Sequence, residues 1–145
     1  MLSKLVKISE GLTLVSSEKF YIETIEELDR ELEQAQVNQM LKGQTNNGSL
    51  IEPKYAAITR KFKANDSRYN APMGTPNLLN KGDFQDDIFA KIEGNFVKWG
   101  STDSKTPDLM DKYKNIFGLN DMSLEEFIKD VLTPVLIQKI NGVFT

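Results

Sequence analysis

The 145-residue chain contains no cysteine, no histidine and a single tryptophan. Without cysteine it has no disulfides, thiolate metal sites or thiol nucleophiles. Without histidine, imidazole zinc sites, Ser-His-Asp triads and the commonest general base are excluded. Charge of one sign is also missing: 18 Lys+Arg stand against 21 Asp+Glu, a net charge of −3. That is too small for indiscriminate capture of nucleic acid or anionic membranes. Long apolar runs are absent. Lys4, Lys7 and Glu10 interrupt Leu2, Leu5, Val6, Ile8, Leu12, Leu14 and Val15, so no signal-peptide stretch is expected. No run approaches the roughly 20 apolar residues that cross a bilayer. The expectation is a protein made and used in a cytoplasm, or in an assembly built there, with no membrane partner.

What remains is 39% hydrophobic and 27% charged, the composition of one globular domain over residues 1–145. A helix is expected over residues 24–41, where Thr24 and Glu27 have capping-box spacing and Gly43 is placed to end it. Its apolar stripe (Ile25, Leu28, Leu32, Ala35) is thin and fades into Gln34, Gln36, Asn38 and Gln39. Much of this helix should therefore lie in water or against another subunit. Residues 44–49 are turn chemistry around Asn47-Gly48. Tyr55, Ile58 and Phe62 fit a short amphipathic helix over 54–63 that Pro53 starts. Residues 64–83 read as a long loop, and with 42–53 they are expected to be extended arms that order on assembly.

Alternation over 84–103 with Gly94-Asn95 between its halves predicts a β-hairpin. Phe89 and Trp99 fall on opposite strands, both expected to be buried, one on each face or against helices. Pro107 opens a short helix over 108–117, which Gly118 closes. Ser123, with Glu126 as box partner, is expected to cap a final helix with a broad apolar face, kinked at Pro134. The fold class expected is α+β: a small antiparallel sheet with a central hairpin, packed against N- and C-terminal helices, with long extended loops.

Few residues offer chemistry. Asp83, Asp86 and Asp87 are paired carboxylates, but neighbours on a strand point to opposite faces, and strand protection accounts for them more simply. Asp103 and Thr106, near Lys105, are explained by capping without a phosphate loop. No catalytic, cofactor or metal residues are assigned, and no small-molecule substrate. Charge is segregated instead. Residues 23–33 hold Glu23, Glu26, Glu27, Asp29, Glu31 and Glu33 against Arg30, about −5, whereas 53–68 hold Lys54, Arg60, Lys61, Lys63 and Arg68 against Asp66, about +4. A solvated helix face is the plain reading. The sharper one makes Glu23, Glu26, Glu27 and Glu31 of one subunit meet Arg60, Lys61, Lys63 and Arg68 of the next, a head-to-tail contact that closes into a ring. The alternative is a monomeric nucleic-acid-binding module using the basic segment around Tyr55 and Tyr69.

The order of turns adds a resemblance. Gly82-Asp83-Phe84 leads into the hairpin, Ser101-Thr102-Asp103-Ser104-Lys105-Thr106 leaves it, and Ile116-Phe117-Gly118-Leu119 precedes the last helix. Upstream stand Gln39, Gly43, Gly48, Ile51, Pro53, Tyr55 and Thr59. Over roughly residues 22–141 this pattern resembles a family of small virion proteins of Bacteroidetes phages, and is more distantly similar to tail-completion or neck proteins of long-tailed phages. Lys81 departs from the usual Thr before Gly82-Asp83. The resemblance implies a non-enzymatic structural virion protein of the neck, head–tail connector or tail, built in the host cytoplasm as a homo-oligomeric ring. Its implied partners are itself, adjacent portal, connector or tail proteins, and packaged DNA where it passes through.

Overall fold

The structure, a computed structural model, describes residues 18–144, with the side chains of 143 and 144 left aside. The interrupted apolar segment at 2–15 lies outside the described residues. Two helices open the described chain: α1 (Glu18–Glu27) and α2 (Asp29–Leu41). They meet at Leu28, whose φ of −104° and ψ of 23° break the helix. The expected start at Thr24 is therefore a correction. Thr24 is buried mid-helix, and its hydroxyl donates to the Phe20 carbonyl at 2.8 Å instead of capping an N-terminus. The stop at Gly43 is as expected. With φ of +74°, its N–H reaches the Met40 carbonyl and that of Gln44 reaches Gln39, a Schellman pair.

Residues 44–50 close a turn by a bridge between Gln44 and Leu50. Helix α3 (Ala57–Ala64) then begins four residues after Pro53, which lies outside it behind a cis Glu52-Pro53 bond. Residues 64–83, expected to be an extended arm, run without a strand from Ala64 at the end of α3 to Asp83 and lie back on the body of this subunit. Gly74, Thr75, Pro76, Asn77 and Leu78 are buried, as is Ile51 from the other segment.

The short helix α4 (Asp83–Asp86) delivers the chain to β1 (Ile88–Glu93), which pairs antiparallel with β2 (Phe96–Ser101) around Gly94-Asn95. This is an α+β fold whose two-stranded sheet is packed with helices. Ala90 faces Trp99 and Ile92 faces Val97, putting these four on the face that meets the helices. Phe89 pairs with Gly100 on the other face, and a Cβ on Gly100 would sit 2.7 Å from its ring. Phe89 and Trp99 thus take opposite faces, each half-buried. Glu33 of α2 accepts the Ala90 N–H at 3.3 Å and covers part of the sheet edge.

Helix α5 (Thr106–Lys112) has Pro107 in its first turn, but ends before the expected 117. Tyr113 is extended and Asn115 has φ of +61°, which lets Tyr113 and Ile116 turn into the core. Asn120, not Ser123, caps α6 (Asp121–Phe127), its Oδ1 accepting the Ser123 N–H at 2.9 Å. The rod continues through a π-helical turn (Ile128–Leu132) into α7 (Thr133–Phe144). Pro134 lacks an N–H and its ring would crowd the Asp130 carbonyl; the widened turn just before it relieves that conflict.

Two apolar cores share α2 as a common wall. Met40, Ile51, Leu78, Phe84, Ile88, Tyr113 and Ile116 form one, near the C-terminal end of α2. Leu28, Leu32, Ala90 and Phe127 form the other, near its N-terminal end. At 1.5 Å per residue, Leu28 and Met40 stand roughly 18 Å apart along the helix axis.

Candidate assembly surface

The segregated charges lie over different cores. Acidic residues ride on α1 and the first turns of α2, beside the core containing Leu28. The basic segment lies on and after α3, beside the core containing Tyr113. Within each group the side chains are not equivalent. Glu27 is held by Lys139 of α7 at 2.8 Å, and Glu23 lies 3.6 Å from Lys19. Glu26 and Glu31 are exposed and have no ion-pair partner among the described residues.

On the basic side two of the four named cations are used internally. The Lys63 ammonium donates to Asn77 Oδ1 at 3.0 Å and to the Leu79 carbonyl, and lies 5.5 Å from the centre of the Tyr55 ring. Burial draws its pKa below that of an ordinary lysine. Arg68 is clamped by Asp66 at 2.8 Å and donates to the Asn80 carbonyl at 3.1 Å. The stem of Arg60 runs beneath Gly74, where a Cβ would meet it at 3.0 Å. Lys61 is exposed without an ion-pair partner among the described residues. Lys61 is thus the cation left for another molecule, with the head of Arg60 beside it.

The aromatic residues of this segment are likewise turned to structural use. The Tyr55 hydroxyl accepts the N–H groups of Asn77 and Leu78 at 3.2 and 3.1 Å, which holds Leu78 at its positive φ of 60°. Tyr69 donates to the carbonyls of Pro72 and Thr75 at 2.8 and 2.7 Å. Burial raises the pKa of both phenols, against the opposing pull of the backbone groups around them. A cleft of about 410 Å³ is lined by Tyr55, Phe62, Lys63, Arg68, Leu109 and Tyr113.

Asp66 gives a direct check on this geometry. The Arg68 guanidinium and the Arg68 backbone N–H both bond its carboxylate, which holds its pKa down at about 2 against an ordinary 3.8. The folded value is the lower one, so the pair contributes stability above the ordinary carboxylate range and loses it as pH falls toward 2. An NMR titration of the Asp66 carboxyl should have its midpoint near pH 2. In Arg68→Gln the midpoint should move back up toward the ordinary value; an unchanged midpoint would remove the clamp from this account.

The carboxylates Asp83 and Asp86 lie on the single turn of α4 with Asp87 after it, so they belong to a helix end and not to a strand. Among the described residues no group of three or more acidic side chains is gathered closely enough to hold a metal ion. Asp103 and Thr106 do not cap α5 as expected, since its N-cap residue is Lys105 and carries no side-chain capping bond. Asp103 Oδ1 instead accepts the Lys105 N–H at 2.8 Å, and the Thr106 hydroxyl donates to the Asp103 carbonyl at 2.7 Å, so both tie the turn before the helix.

Two features escaped periodicity. Gln36 and Gln39 are fully buried, and their amides pair with the backbone of residues 116–120. The second is exposed apolar surface. In α3, Ile58 and Phe62 are 67% and 72% exposed, and no residue of that helix is buried. Among the described side chains of the C-terminal rod only Phe127 is buried, while Leu124, Ile128 and Ile137 are open by 42%, 42% and 54%. The spacing of Ile58 and Phe62 was visible in sequence; that their face points outward was not. No family model, curated protein or solved structure matches this chain.

Proposed function

We propose that the chain is a structural subunit of a tailed-phage virion, acting in the neck, head–tail connector or tail as part of a homo-oligomeric ring. The observation that carries this reading is the C-terminal rod, which among the described residues packs one face (Phe127, Val131, Leu132 and Val135) on the core and leaves further apolar residues exposed. Helix α7 has the sequence TPVLIQKINGVF, with Lys139 its only charged residue. A helix so apolar ordinarily lies inside a protein. Here the rod from Asp121 onward presents Met122, Leu124, Ile128 and Ile137 to the outside. Exposed apolar surface of this kind marks contact with other molecules, which is the condition of a subunit viewed without its assembly. The order of turns at Gly82-Asp83-Phe84, residues 101–106 and residues 116–119 supplies the phage element of the proposal. Neighbouring portal, connector or tail proteins would flank the ring, and packaged DNA would pass through it.

The test is quantitative mass spectrometry of purified particles, calibrated against the major capsid protein. A small fixed copy number is expected. Absence from the particle would overturn the virion reading. Salt-dependent DNA binding by the isolated protein would then turn attention to the nucleic-acid alternative.

A further inference from the structure

Two exposed apolar features on this chain are matched in shape and charge. The first is the outer face of α3. Ile58 and Phe62 are one turn apart, and Lys61 shares their face by the 3.6-residue period. An eight-residue helix with no buried residue has little reason to display an isoleucine and a phenylalanine to water. The second is an apolar groove of about 170 Å³ between α1 and the tip of the hairpin. Tyr21, Ile22, Ile25, Ile92, Phe96 and Val97 line it, with Tyr21 41% and Phe96 65% exposed. Glu18 is its one charged lining residue among the described residues, and Glu26 lies one turn beyond Ile22 on the same helix. Neither acid has an ion-pair partner among the described residues.

We infer that α3 of one subunit docks in this groove on a second copy of the same chain. Phe62 and Ile58 enter between α1 and the hairpin tip, while Lys61 meets Glu18 and Glu26. The charges choose the occupant: the apolar knob carries a cation and the groove is flanked by acids, each without an ion-pair partner among the described residues. Knob and groove stand over different cores, at opposite ends of α2. The contact is therefore heterologous, each subunit offering its knob to one neighbour and its groove to another, and it closes into a ring where the rotation allows. Of the eight charged residues first considered for the interface, Lys61 and Glu26 are assigned to it, with Glu18 added. Glu23, Glu27, Lys63 and Arg68 are already engaged inside the subunit.

This inference deepens the ring reading, and its test is separate from particle composition. The full chain carries no cysteine, so a single introduced one is a clean handle. Asn95→Cys, at the groove, is labelled with a benzophenone maleimide and photolysed, and the product is mapped by mass spectrometry. Cross-links to residues 57–64 of a second subunit are expected. Capture of the same chain's residues 1–17, of the groove of another copy, or of no chain would overturn the proposal. In parallel, Lys61→Glu should weaken self-association by about tenfold, and Phe62→Ser by about thirtyfold, measured by sedimentation. Glu26→Lys added to Lys61→Glu should restore much of the loss. Circular dichroism checks the fold, which these exposed positions leave intact. Association indifferent to all three changes would overturn the contact, even where mass spectrometry finds the protein in particles.

Discussion

Gln36→Leu is expected to cost about 2–4 kcal/mol of stability, which for a chain of this size lowers Tm by roughly 6–12 °C. The reason is the double pairing made by one amide. Gln36 Nε2 donates to the Ile116 carbonyl at 3.0 Å, and its Oε1 accepts the Gly118 N–H at 2.7 Å. Three residues along α2, Gln39 repeats the arrangement, donating to the Gly118 carbonyl at 2.8 Å and accepting the Asn120 N–H at 2.8 Å. Together the two side chains act like a short strand laid along residues 116–120. Leucine fills the space but leaves the buried Ile116 carbonyl and the partly buried Gly118 N–H without these partners. Gln36→Glu separates this pairing from packing. A protonated carboxyl reproduces both bonds, whereas the ionised form faces the Ile116 carbonyl with a negative oxygen. Its folded pKa is thereby raised above the unfolded value, so the variant is closest to the parent below about pH 4 and loses stability as pH rises. Thermal melts across pH decide the matter. A loss under about 0.5 kcal/mol in Gln36→Leu, the range of an ordinary surface change, would mean the amide pairs do not hold this turn.

The second large effect is at Gly43. A Cβ there would lie 2.5 Å from Thr75 Cγ2, 3.1 Å from Ala71 Cβ and 3.2 Å from the Pro76 carbonyl, at a backbone φ of +74°. Gly43→Ala combines a left-handed penalty of about 1 kcal/mol with overpacking of about 1–3 kcal/mol. The close contact is with a single methyl, so Thr75→Ser should recover part of the loss; it keeps the hydroxyl that accepts from Lys54 at 2.8 Å. Urea unfolding of the two single variants and the double one gives the coupling directly. Additive losses, with no recovery, would show that residues 71–76 do not pack on the end of α2. Strong coupling would establish that the loop once expected to be an arm is part of the core.

These two positions also divide what was legible in the chain from what was not. Gly43, Gly94-Asn95 and Pro107 announce a stop, a turn and a start because they act through their own backbone dihedrals, and these formed where they stand. Gly118 does turn with a positive φ, but the helix it was expected to close had already ended at Lys112. The alternation of Ile88, Ala90 and Ile92 likewise describes a strand whatever covers it. Charge segregation between 23–33 and 53–68 is composition alone, and was readable without a fold. Which of those charges remain for a neighbour was not readable. Lys63 turns inward because Asn77, fourteen residues away, offers its oxygen, and Glu27 is taken by Lys139 from the far end of the chain.

The glutamines are the clearest case. In sequence they dilute an apolar stripe; in the fold they are buried as deeply as Met40 beside them, because their partners lie about eighty residues downstream. The same holds for residues 74–78, turn-like in composition with Gly74, Pro76 and Asn77, yet buried by the hydroxyl of Tyr55 and the packing of Leu78. Local rules give the backbone its turns and strands, since those costs are met within a few residues. Burial of an amide or an ammonium depends on a partner that only the closed chain brings within 3 Å.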